Sequence, residues 1–564
     1  VTRASPKYHS VVTIHPALPF LPLAPAARAA LVVCAVLALV GAPSLAAQAS
    51  DTGARGPTEP TDGVPRGAPS LLVPADHWSI EALARLDAFV QTGAAVPWGV
   101  RTPTRRQVLE GLDAAVAASE SAAREGQVDG EADGHADHEA PVPTGALARY
   151  YRDRFVEEMG RLVPDQETPR VRWLAGHSDV RVGRRYGAIA TSRGMAEFLP
   201  SEPLGDARHL HAAVGGALEV GPVALSGEAR IGEDGGPEAR ELYLAGRLRG
   251  VDLWAGRRAP AFGGARSGST VLGGQVALDG GGLALAGPRI LPSILQHMGP
   301  LRFETHLARF EENGFARRPW FWTARASVAP HPRLSVGVNR AAIFGGEGSP
   351  PTNFRNVILT LLGTRSEDPS GDFGRSFFAN QVASVELRYR VPLRAAPTTL
   401  YLEWGMEDSS GAWLDVPGII AGVQVAEVPG LPGVSVGLER THFSPSCCDN
   451  PPWYRHAQFF DGWADGGLPL GHPLGGQGNE WLLYGRVDLL EAGIHSSWRA
   501  FRRERWGENL YVPTRPGRSL GGAFEVLYRV GSRTDLAVDT SYERGRAAGG
   551  WGELRSFLGI RTYF

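Results

Sequence analysis

The chain has 564 residues, of which 43% are apolar and 21% charged. That balance excludes a disordered chain and a bundle of membrane-spanning helices. A formal charge of −2 gives no reason to expect nucleic acid as a partner. The 72 glycines are roughly twice ordinary usage. They follow no G-X-Y period, which excludes collagen and points to many short strands joined by turns.

Taken in chain order, Arg3, Lys7 and Arg28 precede the apolar run 29–40 (AALVVCAVLALV), and small residues follow it as far as Ser50. This order predicts a secretory signal peptide over residues 1–49, cut after Ala49 at Ala47-Gln48-Ala49. The run is short for a membrane anchor. A lipoprotein site at Cys34 lacks the small residue expected within Leu31-Val32-Val33. Elsewhere no stretch of 18 consecutive apolar residues occurs, so membrane-crossing helices are excluded. After cleavage only Cys447 and Cys448 remain, too few for a disulfide scaffold or a zinc site. No cofactor or metal is expected.

Residues 50–73, rich in Pro, Gly, Thr and Asp, predict a flexible linker. A helical segment follows over 74–165. In WSIEALARLDAFVQTG (78–93), Ile80, Leu83, Leu86 and Val90 share one face. Thr104 and Gln107 form a capping box ahead of Val108, Leu109, Leu112 and Val116. The acidic, His-containing insertion 126–143 has no apolar period and predicts disorder. A third helix is expected over 146–162.

Residues 166–564 change to a period of two, clear from about residue 169. Val385, Leu387, Tyr389 and Val391 alternate with Glu386, Arg388 and Arg390. Leu400, Leu402, Trp404 and Met406 alternate with Tyr401, Glu403 and Glu407. Trp481, Leu483, Val487 and Leu489 alternate with Tyr484, Arg486 and Asp488. The stretches 520–530 and 536–543 repeat the pattern. Such alternation fits either a soluble sheet with one wet face or a barrel with a lipid face and a polar lumen. The connections decide, because they alternate short and long. Turns such as 490–493 and 531–534 separate stretches such as 444–480 and 504–518. Outer-membrane barrels show this asymmetry, and a soluble sandwich has no reason to. The stretch SFLGIRTYF closes on Phe564, as a terminal strand would. The fold class expected is an all-β transmembrane barrel of about 18 antiparallel strands with a small N-terminal helical segment on the periplasmic side. The mixed lumen charges predict an internal salt-bridge network.

Several stretches resemble the capsule-assembly Wzi family. They are WSIEALARLDAFVQTG with VRTPTRRQVLEGL, LALAGPRILPSI (283–294) leading into 301–312, LSVGVNRAAIFGGEG (334–348), and 452–485 with WYRHAQFFDGW and GHPLGGQGNEWLLYG. The insertion 126–143 departs from the pattern, and Ala286 stands where a small polar residue is expected. The resemblance implies a non-catalytic, lectin-like barrel that attaches or assembles capsular or extracellular polysaccharide. Its other partners would be outer-membrane lipid and the barrel-insertion machinery.

A glycan surface needs aromatic faces and polar groups, with Arg for acidic sugars. The loop 444–480 supplies Trp453, Tyr454, Arg455, His456, Asp461, Trp463 and Asp465. The loop 504–518 supplies Arg505, Trp506, Tyr511 and Arg515. These outside loops are the expected polysaccharide contacts, the alternative being that they pack as a plug. A diffusion porin is the second functional reading, and an outer-membrane hydrolase the third. For the third, Gly433-Val434-Ser435-Val436-Gly437 matches G-x-S-x-G but opens a strand rather than a strand-to-helix elbow. His135 and His138 lie in the acidic tract without the H-E-x-x-H spacing. The glycine-rich run Gly475-Gly476-Gln477-Gly478 lacks the strand–helix setting of a phosphate loop.

Overall fold

The computed structural model describes residues 63–65, 77–89, 103–132, 144–159, 161–163, 171–187, 208–220, 223–231, 237–310, 317–349, 379–393, 395–407, 416–446, 452–456, 461–465, 468–511, 517–546 and 551–563, with a few short stretches and single positions between them. The expected signal peptide, Cys447, Cys448, Arg515, His135 and His138 lie outside the described residues.

Among these residues eighteen long strands pair side by side and close into a barrel. In chain order they are β1 (Val171–Gly187), β2 (Arg208–Val220), β3 (Val223–Ile231), β4 (Pro237–Leu248), β5 (Val251–Arg258) and β6 (Leu278–Leu285). Next come β7 (Pro300–Arg309), β8 (Trp320–His331), β9 (Leu334–Phe344), β10 (Ala379–Val391), β11 (Thr398–Glu407) and β12 (Gly418–Val425). The last are β13 (Val434–Phe443), β14 (Gly478–Leu489), β15 (Ile494–Arg505), β16 (Gly517–Arg529), β17 (Thr534–Gly545) and β18 (Trp551–Tyr563). Each pairs antiparallel with the next, and β18 closes on β1 from Glu553↔Gly187 to Tyr563↔His177. Closure leaves no edge strand to be satisfied by another chain. β6 is the strand least legible in sequence, because Gly280, Gly281 and Gly282 occupy its centre. Its neighbours hold it through the registers Asp252↔Ala284 and Glu304↔Ala284.

The barrel is inside-out. On β10, Leu387 is 40% exposed while Glu386 and Arg388 are 2% and 4% exposed. The same inversion holds on β11, where Leu400 is exposed and Glu403 buried, and on β14, where Trp481 and Leu483 are exposed and Arg486 and Asp488 buried. A soluble sheet places its apolar face inward. An apolar outer band around a polar interior is the arrangement a lipid environment requires. Trp320 and Trp481, with Arg309 and Arg440 over their rings, stand at the long-loop ends of β8 and β14, the position of an aromatic girdle.

Three helices attach at the short-turn end. They are α1 (Trp78–Phe89), α2 (Arg105–Ala132) and α3 (Thr144–Met159). Their core joins Trp78, Leu83 and Leu86 to Val108, Leu109, Leu112, Leu147, Tyr151 and Phe155, with Leu490 of the β14–β15 turn against it. The capping box is present: Gln107 N–H donates to Thr104 Oγ1 at 3.2 Å, and Thr104 N–H donates to Gln107 Oε1 at 2.8 Å. Three expectations are corrected here. α2 continues through residue 132, so the insertion opens as helix. The third helix ends at Met159, and Arg161–Val163 pairs in parallel with Gly63–Pro65. That pairing also places a short strand inside the stretch read as a flexible linker.

Candidate functional site

At the long-loop end two loops fold together over the lumen. The first, 259–277 between β5 and β6, drops inward and is fastened by carboxylates of the barrel wall. Glu403 accepts from Ser269 Oγ and Thr270 N–H, both at 2.9 Å. Glu439 accepts from Arg266 N–H at 2.7 Å, Ser267 N–H at 3.1 Å and Tyr401 Oη at 2.7 Å. The second loop, between β13 and β14, lies against the first. Tyr454 Oη donates to the Thr270 carbonyl at 2.7 Å and accepts from His472 N–H at 2.9 Å. Trp463 Nε1–H donates to the Val271 carbonyl at 2.8 Å, and Trp453 Nε1–H to the Val416 carbonyl at 2.9 Å. Phe262, Val271, Leu272, Phe310, Phe321, Phe443 and Leu470 complete a shared apolar core. Gly462, at φ +68°, is required by this packing, since a Cβ there would stand 1.9 Å from the Tyr454 carbonyl oxygen.

This packing corrects part of the expected site. Trp453, Tyr454 and Trp463 are 2%, 0% and 0% exposed, so they have no free face for a sugar ring. They are the core that holds the cap in place. Arg505 is also buried and donates to Glu543 Oε1 at 2.9 Å. Most of the remaining expected residues keep some exposure. Asp461 is exposed, and Arg455, Trp506 and Tyr511 are half-buried. Arg455 joins the two expected loops, donating through Nε to the Glu508 carbonyl at 3.1 Å and through Nη2 to the Asn509 carbonyl at 3.2 Å. Tyr511 lies 5.4 Å from the Arg505 guanidinium, and Trp506 meets His442 edge-on at 6.0 Å. His456 is buried, and burial takes its imidazole down to about 4.

The short-turn end is filled by the helices. Asp87 of α1 accepts from Arg390 Nη1 at 2.9 Å and pairs with Arg388. Arg85 Nη1 donates to Asp488 Oδ2 at 2.7 Å. Asp488 also receives Arg486 Nε at 2.9 Å, faces His495 Nδ1 at 2.6 Å, and accepts from the Tyr151 hydroxyl. On α3, burial alone would raise the Glu158 carboxyl, but Arg154, His77 and Arg529 outweigh it and hold the carboxyl well below its usual range. Glu81 of α1 pairs with Arg266 of the inward loop, so the two fillings meet inside the lumen. The expected salt-bridge network exists. Its partners lie on the helices as well as on the strands.

One arrangement was missed in sequence because its members are far apart. Ser267 Oγ stands 2.7 Å from His472 Nε2 and also donates to Glu439. It has the parts of a nucleophile–base pair, but the proton assignment is wrong for one. Leu474 N–H donates to His472 Nδ1 at 3.0 Å, which places the imidazole proton on Nε2. The imidazole therefore donates to Ser267 rather than accepting its proton, and the serine proton is directed to a carboxylate. Ser435, the other hydroxyl considered, lies within strand β13 and is buried. Among the described residues no cluster of three or more His, Cys, Asp or Glu side chains is placed to hold a metal.

An eighteen-stranded inside-out barrel, entered by helices at one end and by folded loops at the other, defines an outer-membrane β-barrel with an occupied lumen. The family model for capsule assembly protein Wzi matches residues 206–545, and the chain belongs to that family. Among solved structures it is similar to Wzi of Escherichia coli, described as an outer membrane protein involved in group 1 capsule assembly and a carbohydrate-binding β-barrel. The identity is 17% and the TM-score 0.54, over 68% of this chain and 83% of that one. At that identity the likeness is one of fold. OpdL of Pseudomonas aeruginosa matches at 12% identity and TM-score 0.42, over 71% of this chain and 99% of that one. OpdR of the same organism matches at 11% and 0.43, over 70% and 96%. No curated protein sequence matches the chain.

Proposed function

We propose that this protein is exported, with residues 1–49 removed, and inserted in the outer membrane, where it attaches or assembles capsular or extracellular polysaccharide without catalysis. Membership of the capsule-assembly family over residues 206–545 carries this reading. The filling of the lumen from both ends supports it over a diffusion porin, because a porin keeps an aqueous path. The orientation of the Ser267–His472 pair removes the best-placed hydrolytic candidate. The polysaccharide contacts fall to the outer edge of the cap: Arg455, Asp461, Trp506 and Tyr511. A partly exposed indole and phenol offer apolar faces to sugar rings, Asp461 accepts from hydroxyls, and Arg455 donates to hydroxyls or uronates.

The test is a gene deletion with cell-bound and released polysaccharide measured separately. An anchoring protein gives unchanged total polysaccharide with a shift into the medium, and Trp506→Ala with Asp461→Ala reproduces part of that shift. Unchanged fractions in the deletion strain would overturn the attachment reading.

A further inference from the structure

We infer that the connection between β6 and β7 is an interfacial anchor that seats the short-turn rim in the adjoining phospholipid leaflet. Connections at that end are short, but residues 286–299 between these strands form a fourteen-residue departure. The segment extends the hairpin through Arg289↔Leu301 and Ile290↔Pro300, then turns through one short 3-10 helix, Ser293–Met298. None of that helix is buried. Ile290, Ile294, Leu295 and Met298 are 63%, 80%, 45% and 40% exposed.

The segment is nevertheless fixed in place. Ala286 N–H donates to the Gly250 carbonyl at 3.0 Å in the β4–β5 turn. The Arg289 guanidinium lies over Gly250, where a Cβ would stand 2.1 Å from Nη2. On the other side Gly299, at φ +74°, sits so close to the last residues of β8 that a Cβ would stand 2.0 Å from the Ala329 carbonyl oxygen. The β4–β5 turn and the end of β8 thus hold an apolar knuckle whose large side chains stay exposed among the described residues. Soluble surfaces rarely keep such a cluster uncovered.

Its surroundings identify the occupant. The cluster continues the apolar outer band of the same wall, where Leu248, Leu253, Phe303 and Leu307 are exposed. Arg249, Arg289, His297 and His331 stand exposed around it. Apolar side chains flanked by two arginines and two imidazoles at the foot of a lipid-facing wall match the boundary between acyl chains and phosphate headgroups. The partner is therefore phospholipid, anionic headgroups included, and the contact is separate from the polysaccharide surface at the other end.

The test uses the exported chain in nanodiscs of phosphatidylethanolamine and phosphatidylglycerol, with Cys447 and Cys448 changed to Ser. An environment-sensitive fluorophore is placed through Ile294→Cys or, separately, Leu295→Cys. Ser532→Cys, in the exposed β16–β17 turn at the same end, is the control. Heat-modifiable gel migration confirms that each variant is folded. Lipid carrying a nitroxide near its glycerol backbone is expected to quench the label at 294 or 295 at least about threefold more than at 532, with iodide showing the reverse order. Ile294→Asp combined with Met298→Asp is expected to abolish the lipid quenching read at Leu295→Cys. Equal iodide access at 294 and 532 without lipid quenching would overturn the proposal. So would protection from iodide that depends on protein density rather than on lipid, which would mean that a second copy covers the face.

Discussion

At the scale of single residues, aromatic composition in an outside loop did not distinguish a binding surface from a core. Trp463 and Trp506 were equivalent in sequence, yet one is buried under the Val271 carbonyl and the other is partly exposed. Their substitutions should therefore separate. Trp463→Ala removes a fully buried indole and should cost about 3–5 kcal/mol of cap stability, read as faster proteolysis of the loop between β13 and β14. Trp506→Ala should leave proteolysis unchanged and weaken only polysaccharide retention. The Ser267–His472 pair makes a second prediction. Because the imidazole proton points at the serine, a fluorophosphonate probe should leave Ser267 unmodified in the folded protein by mass spectrometry. His456 gives a third. Its folded value lies at about 4 against an ordinary 6.5, so between those pH values the unfolded loop binds more protons than the folded one. Cap stability should therefore fall as pH drops from about 6.5 to about 4 and flatten below. Hydrogen exchange over residues 452–477, corrected for intrinsic rates, should show this loosening, and His456→Gln should remove most of it.

At the scale of elements, the helices were legible as amphipathic segments. Ile80, Leu83 and Leu86 mark the apolar side of α1, and Thr104 and Gln107 mark the start of α2. Their docking was not legible, because it depends on Asp87 meeting Arg388 and Arg390 more than 300 residues away, across a lumen that sequence periodicity does not locate. The inward loop 259–277 was missed for a related reason. Its run of Gly, Ser and Thr reads as flexible, and its order comes from Glu403 and Glu439 on strands far along the chain. Asp87→Ala tests the docking. It leaves two buried guanidinium groups without that carboxylate, and breaking buried pairs in this way costs about 3–5 kcal/mol. The helices should loosen from the rim, with trypsin cutting between α1 and α2 faster than in the parent, while the barrel keeps its heat-modifiable migration. Unchanged cutting would show that Arg85, Tyr151 and Glu158 hold the helices without Asp87.

At the scale of the whole molecule, the strand count was legible from local alternation and the inside-out setting from the alternation of short and long connections, and the lumen contents were not. That difference sets the last prediction. Barrels of 16 to 18 strands are wide enough to leave an aqueous channel (roughly the size class of porins), so strand number alone would make this protein conduct. Two independent fillings oppose that. The helices enter from the short-turn end, and loops 259–277 and 452–477 cover the long-loop end. They meet through Glu81 and Arg266, but each is fastened to the wall by its own set of groups: Asp87 and Asp488 for one, Glu403 and Glu439 for the other. Removing one should leave the other seated. In planar bilayers the intact protein should therefore show few or no conductance steps, and so should a form lacking the helices or a form with loops 259–277 and 452–477 both shortened. Only the form with both changes should conduct in steady porin-like steps. Steps from the intact protein would show that the fillings are permeable and would favour the channel reading. Steps from either single change would show that the two fillings act as one element, coupled through the Glu81–Arg266 contact.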